Sequence, residues 1–234
     1  MSAVVLLHGI GGPSWGDLVP GALDWPMPGF CGTPPLPRMT FPALSLALRD
    51  ALDARGIEKA ALVGHSMGGM VAQDFVATMP DRVAKLILYG TTPAFGGRDP
   101  SFAEAFLKAR LGPLEGRGMA EAAPDMLAGV FAEGADPEAV RKAAAAMAVI
   151  PETVYRETLR CLTTFDCRAD LARIAVPTLL IAGELDQAAP PKTMRRMAEA
   201  IPGARFVLVP GAGHMVHLER PREFRAALIP FLAE

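Results

Sequence analysis

Short apolar runs along the chain alternate with longer stretches in which apolar residues recur every three to four positions, a pattern that predicts a parallel sheet flanked by helices. Six runs read as strands: Ala3 to Leu7, Ala22 to Trp25, Ala60 to Val63, Lys85 to Tyr89, Thr178 to Ala182 and Arg205 to Val209. Between the second and third, Thr40 can cap a helix with Pro42 in its first turn and Leu44, Leu48 and Leu52 on one stripe. A second helix starts at the turn carrying Ser66 and must stop near Pro80. A last one runs from about Pro221 to Leu232, with Phe224, Leu228 and Phe231 on one face.

Two segments break this rhythm. Pro20 to Pro42 holds seven prolines, so beyond its short strand it reads as loop. From about Pro93 to Phe165 no strand pattern appears, and helical patterns follow Asp99, Gly118, Asp136 and Pro151. The expected organisation is a core of residues 1–92 and 166–234, with residues 93–165 a helical insertion between the fourth and fifth strands.

Composition narrows the function. The 234 residues are 51% hydrophobic with a net charge of −2, enough for one sizeable core and without the basic footprint of a nucleic-acid or anionic-membrane binder. No apolar run approaches the ~20 residues of a spanning helix, and the start shows neither a basic leader nor a cleavage signal. Cys31, Cys161 and Cys167 form no C-x-x-C pair, and an odd number fits reduced thiols. A soluble, cytoplasmic chain is expected.

The chemistry concentrates at the ends of the strands. Gly64-His65-Ser66-Met67-Gly68-Gly69 lies between the third strand and the following helix, where a sharp turn flanked by glycines would lift a serine hydroxyl above the sheet. The alternative of a phosphate-binding turn lacks the G-x-G-x-x-G and Walker spacings. A serine hydroxyl needs a base to take its proton and a carboxylate to hold that base. Of the four histidines, His214 follows the flexible Pro210-Gly211-Ala212-Gly213 turn after the last strand and is the expected base. His65 is expected to pack or hydrogen-bond away from Ser66, and His217 to be a capping or surface residue. After the fifth strand, Glu184 and Asp186 both qualify as the acid, while Asp166 and Asp170 precede that strand. An oxyanion site needs two backbone donors. The Met67 amide comes with the elbow, and the Gly9-Ile10-Gly11-Gly12 loop offers the Ile10 amide.

In His8-Gly9, Gly64-His65-Ser66-Met67-Gly68-Gly69, Gly183-Glu184-Leu185-Asp186 and Gly213-His214, in the order Ser, Asp, His, the chain resembles the α/β-hydrolase superfamily over nearly its whole length. The resemblance implies Asp186 rather than Glu184 as the acid, and Ile10 and Met67 as oxyanion donors. Residues 98–170, with Phe165-Asp166, resemble the helical cap of the 3-oxoadipate enol-lactonase-like and carboxylesterase-like branch. Members usually carry two further strands ahead of the His-Gly loop. Their absence here implies a mostly parallel six-stranded sheet. The Arg-Trp pair of many enol-lactonase relatives is replaced by Gly129-Val130.

These readings converge on a cofactor-free and metal-free serine hydrolase, a monomer or homodimer acting on a small to medium ester or lactone through an acyl-enzyme. A C–C bond or thioester hydrolase would use the same three residues, and a non-catalytic ligand receptor on this fold is the reading from another class. Trp15, Phe95, Met126, Phe131, Met147 and Met215 are candidates for pocket walls, although ordinary packing explains each. Arg98, Arg141 or Arg156 could meet a substrate carboxylate, although each fits a solvated helix face.

Overall fold

The computed structural model describes residues 2–15, 18–95 and 100–234. The expected helix start at Asp99 and the candidate Arg98 lie outside these. Strands β1 (Ala3–Leu7), β2 (Leu23–Trp25), β3 (Ala60–His65), β4 (Val83–Tyr89), β5 (Thr178–Gly183) and β6 (Arg205–Val209) form one sheet in the order β2-β1-β3-β4-β5-β6. Every pairing is parallel. The six strands are those expected from the sequence, shifted by two residues or fewer at their ends.

Side chains alternate across the sheet and divide the core. Leu7, Leu62, Leu86, Leu88 and Leu180 face one apolar cluster, while their neighbours Leu6, Val63, Ile87, Tyr89 and Ile181 face the other. The first cluster is covered by α1 (Phe41–Asp53), α2 (Met67–Thr78) and α7 (Pro191–Ala200), the second by α9 (Pro221–Ala233). In α1 the Thr40 hydroxyl accepts from the Ala43 N–H, and Leu44, Leu48 and Leu52 are buried as the stripe requires. Helix α7 has no counterpart among the sequence expectations.

Between β4 and β5 the chain forms α3 (Pro100–Leu111), α4 (Met119–Met126), α5 (Pro137–Ala148) and α6 (Glu152–Leu162). An Ala94–Asp166 bridge closes the base of this excursion, with Phe95 N–H donating to Phe165 O and Cys167 N–H to Pro93 O, each at 2.8 Å. The helices α3 to α6 follow the expected starts. Cys31, Cys161 and Cys167 are unbridged, and burial pushes the thiols of Cys161 and Cys167 up to about 12. Among the described residues no helix is long and apolar enough to cross a membrane.

The sheet order reverses direction between β1 and β3. In open parallel sheets the crevice at the carboxyl ends of such strands is where ligands bind. The loop after β1 and the turn after β3 open there.

Candidate active site

Strand β3 passes into α2 through Ser66, whose backbone sits at φ 51°, ψ −119°. Only two described non-glycine residues have positive φ, and a serine held there marks stored strain. The surroundings enforce it. Ser66 N–H donates to Tyr89 O at 3.0 Å, and the Thr91 hydroxyl donates to Ser66 O at 2.7 Å. Gly68 lets α2 start directly against β1, because a Cβ there would overlap the Leu7 carbonyl oxygen. A Gly68→Ala change is therefore expected to destabilise the fold by about 3 kcal/mol through overpacking against rigid backbone. Urea unfolding measures this, and a midpoint equal to that of the parent would refute the account.

The loop after β1 approaches closely. A Cβ on Gly9 would lie 3.0 Å from the Ser66 Cβ. Neither the Ile10 nor the Met67 N–H has an acceptor among the described residues, which leaves both donors available beside Ser66.

His214 lies in the loop after β6. Its Nδ1 is 2.8 Å from Asp186 Oδ2, in a pair almost closed to solvent. The other oxygen, Asp186 Oδ1, accepts from the N–H groups of Ala188 and Ala189, both at 2.8 Å. A carboxylate held on both oxygens is fixed in place and orients the imidazole. Glu184 points elsewhere and accepts the Gly211 N–H on the surface. Asp166 and Asp170 bond to Arg168 and Arg173. The geometry thus brings Asp186, among the sequence candidates, to His214.

Ser66, His214, Ile10 and Gly9 line a single cavity of about 370 Å³. No hydrogen bond joins the Ser66 hydroxyl to His214, a contact that commonly tightens only around substrate. The His214 loop is clamped from behind. Its N–H donates to Val130 O at 3.0 Å, and the buried Glu219 carboxylate accepts from Gly213, Met215 and Ala132 N–H groups at 3.0, 3.1 and 2.8 Å. Glu219 was not singled out in the sequence. Its signal was an acid lying five residues after the base in an apolar stretch.

The other histidines are structural and neutral. His65 Nε2 donates to the His214 carbonyl at 3.1 Å, as expected of a residue turned away from the nucleophile, and burial lowers its pKa well below the usual value. His217 corrects the expectation of a capping or surface role. It lies in the short helix α8 (Val216–Glu219), 2% exposed, with Nδ1 3.2 Å from the Tyr89 hydroxyl and Nε2 3.1 Å from the Ser14 hydroxyl. Apolar Val216 and Leu218 on either side gave a weak hint of that burial. His8 Nε2 accepts the Met27 N–H at 3.0 Å, so its proton resides on Nδ1, which bonds to Gly9 O.

Burial lowers the pKa of His8 to about 4 and of His217 to about 3. Unfolded, both titrate near 6.5, so between these values the unfolded chain binds more protons and stability falls as pH drops. His8 alone accounts for a loss on the order of 3 kcal/mol between about pH 6.5 and 4. Urea midpoints taken from pH 7 to 4 should decline, and less steeply in His8→Gln. A flat profile would contradict buried neutral histidines.

Of the expected pocket walls, Phe95, Met126, Met147 and Met215 line the cavity. Trp15 does not: it packs between Tyr89 and His217. Phe131 lines a separate hollow beside Glu184 and Leu185. Arg141 and Arg156 pair with Glu138 and Glu152 on the helix surfaces. Among the described residues, the arginine that does reach the cavity is Arg110, which the sequence expectations missed. It shares an i, i+4, i+8 face with Phe102 and Phe106, and that aromatic stripe was the available signal.

A parallel sheet with a strained serine turn, an Asp-held histidine and two free amides on its strand ends defines the α/β-hydrolase class. The alpha/beta hydrolase family model matches residues 4–227, and the chain belongs to that family. Among its relatives, a protein described as putative carbamate hydrolase RutD from Pseudomonas savastanoi pv. phaseolicola is 31% identical over 198 residues, 81% of this chain and 73% of that protein. The polyketide synthase ThaQ of Burkholderia thailandensis is 31% identical over 214 residues, 88% of this chain but 10% of that much longer protein. The crystal structure of the enol-lactonase from Burkholderia xenovorans LB400 superposes with a TM-score of 0.87 at 26% identity, covering 100% of this chain and 92% of that one. The protein is accordingly a hydrolytic enzyme.

Proposed function

We propose that this hydrolase is a serine enzyme that cleaves a small to medium carboxylic ester or lactone through an acyl-enzyme. The observation that carries the reading is the 2.8 Å bond between His214 Nδ1 and Asp186, in a loop whose histidine faces the same cavity as Ser66. Asp186 accepts a hydrogen bond from Nδ1–H, which keeps that proton on Nδ1 and leaves Nε2 as the acceptor for the Ser66 hydroxyl proton. The Ser66 oxygen adds to the substrate carbonyl, and the Ile10 and Met67 amides receive the developing oxyanion. His214 then returns its proton to the departing alcohol. Water, deprotonated by the same ring, releases the acid and restores Ser66.

In this reading residues 93–165 act as a cap that walls the cavity above the sheet, and the chain works in the cytoplasm on a small molecule. The mostly apolar wall favours a partly apolar acyl group. Thioesters and C–C bonds next to a carbonyl use the same triad. Likeness to proteins described as putative carbamate hydrolases adds carbamates to the substrates worth assaying.

A fluorophosphonate probe tests the mechanism: it should label the protein once, with mass mapping at Ser66, and labelling should abolish ester turnover. Modification at another residue, or turnover surviving complete labelling, would defeat the proposal.

A further inference from the structure

The cavity wall is mostly apolar, and its polar lining residues are neutral with one exception among those described. Among the described lining residues Arg110, in the last turn of α3, is the only lysine or arginine, and none is an aspartate or glutamate. Every other arginine described between residues 100 and 165 has an acid partner: Arg117 with Asp125, Arg141 with Glu138, Arg156 with Glu152 and Arg160 with Glu157. Arg110 has none. One N–H donates to the Met126 carbonyl at 3.1 Å, and the guanidinium lies 5.7 Å from the Phe106 ring centroid. A guanidinium carries five N–H donors, so most of its capacity is uncommitted.

Behind the cavity wall, outside its lining, Tyr155 is fully buried, and its hydroxyl has no hydrogen-bond partner among the described residues. Burial raises its pKa, and the charge of Arg110 acts on it in the opposite direction. A half-buried cation lining an apolar cavity without a counter-ion among the described residues is a costly arrangement for a wall that merely packs.

We propose that Arg110 is the anion-binding subsite of this cavity, so that the substrate carries a free carboxylate remote from the bond that is cleaved, as in a dicarboxylic monoester or a carboxyl-bearing lactone. This rests on the reading of Ser66 as nucleophile given above. The contact at Met126 and the Phe106 face fix the guanidinium, and its planar fork of donors matches a carboxylate on two N–H groups. A substrate anchored there by one end has its other end directed along the same cavity toward Ser66. The paired surface arginines offer no such site, since their charge is already met.

The test compares two p-nitrophenyl esters of similar acyl length, the glutarate monoester and the neutral pentanoate, in the parent, Arg110→Met and Arg110→Lys. The parent should favour the glutarate ester in kcat/KM, and Arg110→Met should collapse that ratio by about 10- to 100-fold, the range of one charge-assisted contact. Arg110→Lys should recover part of it, with the difference mainly in KM. A parent that treats both esters alike, or a variant that lowers both equally, overturns the proposal. Calorimetric titration of glutarate into both proteins separates this proposal from the mechanism. Glutarate bound by the parent and not by Arg110→Met supports the subsite even if neither ester turns over. Absence of binding in the parent, or equal binding in both, refutes it.

Discussion

Exchange of Ser66 for alanine is expected to lower kcat on the best ester substrate by about 10⁶-fold, because the serine and its base act as one unit and either loss removes the covalent route. In the proposed mechanism, what remains comes from the cavity and from the Ile10 and Met67 amides, which would still bind and polarise a carbonyl. Alanine tolerates the position's strained φ no worse than serine does, so the fold should persist with an almost unchanged unfolding midpoint. The check is turnover of a chromogenic ester by protein free of parent enzyme, beside a denaturant curve. Residual activity above about one hundredth of the parent would remove Ser66 from the mechanism.

Asp186→Asn should cost about 10⁴-fold in kcat, and the hydrogen bonds in hand explain why. Oδ1 is held by the N–H groups of Ala188 and Ala189, so the amide of an asparagine must turn its oxygen toward them. Its NH₂ then faces His214 Nδ1, which has to become an acceptor. The ring proton moves to Nε2, the atom that must take the proton of Ser66. Geometry is kept and the tautomer is wrong. Glu184→Gln alters only a surface contact to Gly211 and should change turnover less than about threefold. If the Glu184 change is the damaging one and the Asp186 change is not, the acid has been misassigned.

The two substitutions separate what the sequence could and could not convey. All six strands were legible because each is a short apolar run between turn-forming residues, and Ser66, Asp186 and His214 stood out as candidates because each follows one of those runs. The choice between Asp186 and Glu184 was not a matter of pattern. Two residues apart after a strand, they differ only in which loop amides and which ring their oxygens meet, and that depends on the folded path of residues 183–189. Helix α7 escaped notice although Met194, Met197 and Ala198 make a buried stripe, because Arg195 and Arg196 interrupt it and prolines precede it. His217 looked exposed from its position near a helix start. Its burial is set by Trp15, Tyr89 and Phe224, brought together from distant parts of the chain. Arg110 was hidden for a related reason: an arginine on a helix normally faces water, and only the fold shows which face looks into the cavity.

The carboxylate of Glu219 gives the protein a constraint on how it can be rebuilt. It grips the residues on both sides of His214 and, with the same oxygens, the amide of Ala132, while His214 itself leans on Val130 O. The α4–α5 connection and the His214 loop therefore share one fastening. Transplanting residues 93–165 from a relative to change substrate range should succeed only where the donor segment brings an N–H and a carbonyl to those two points. Otherwise Glu219 keeps only the Gly213 and Met215 amides, its carboxylate is left without its third partner, and the imidazole loses the Val130 carbonyl that seats it.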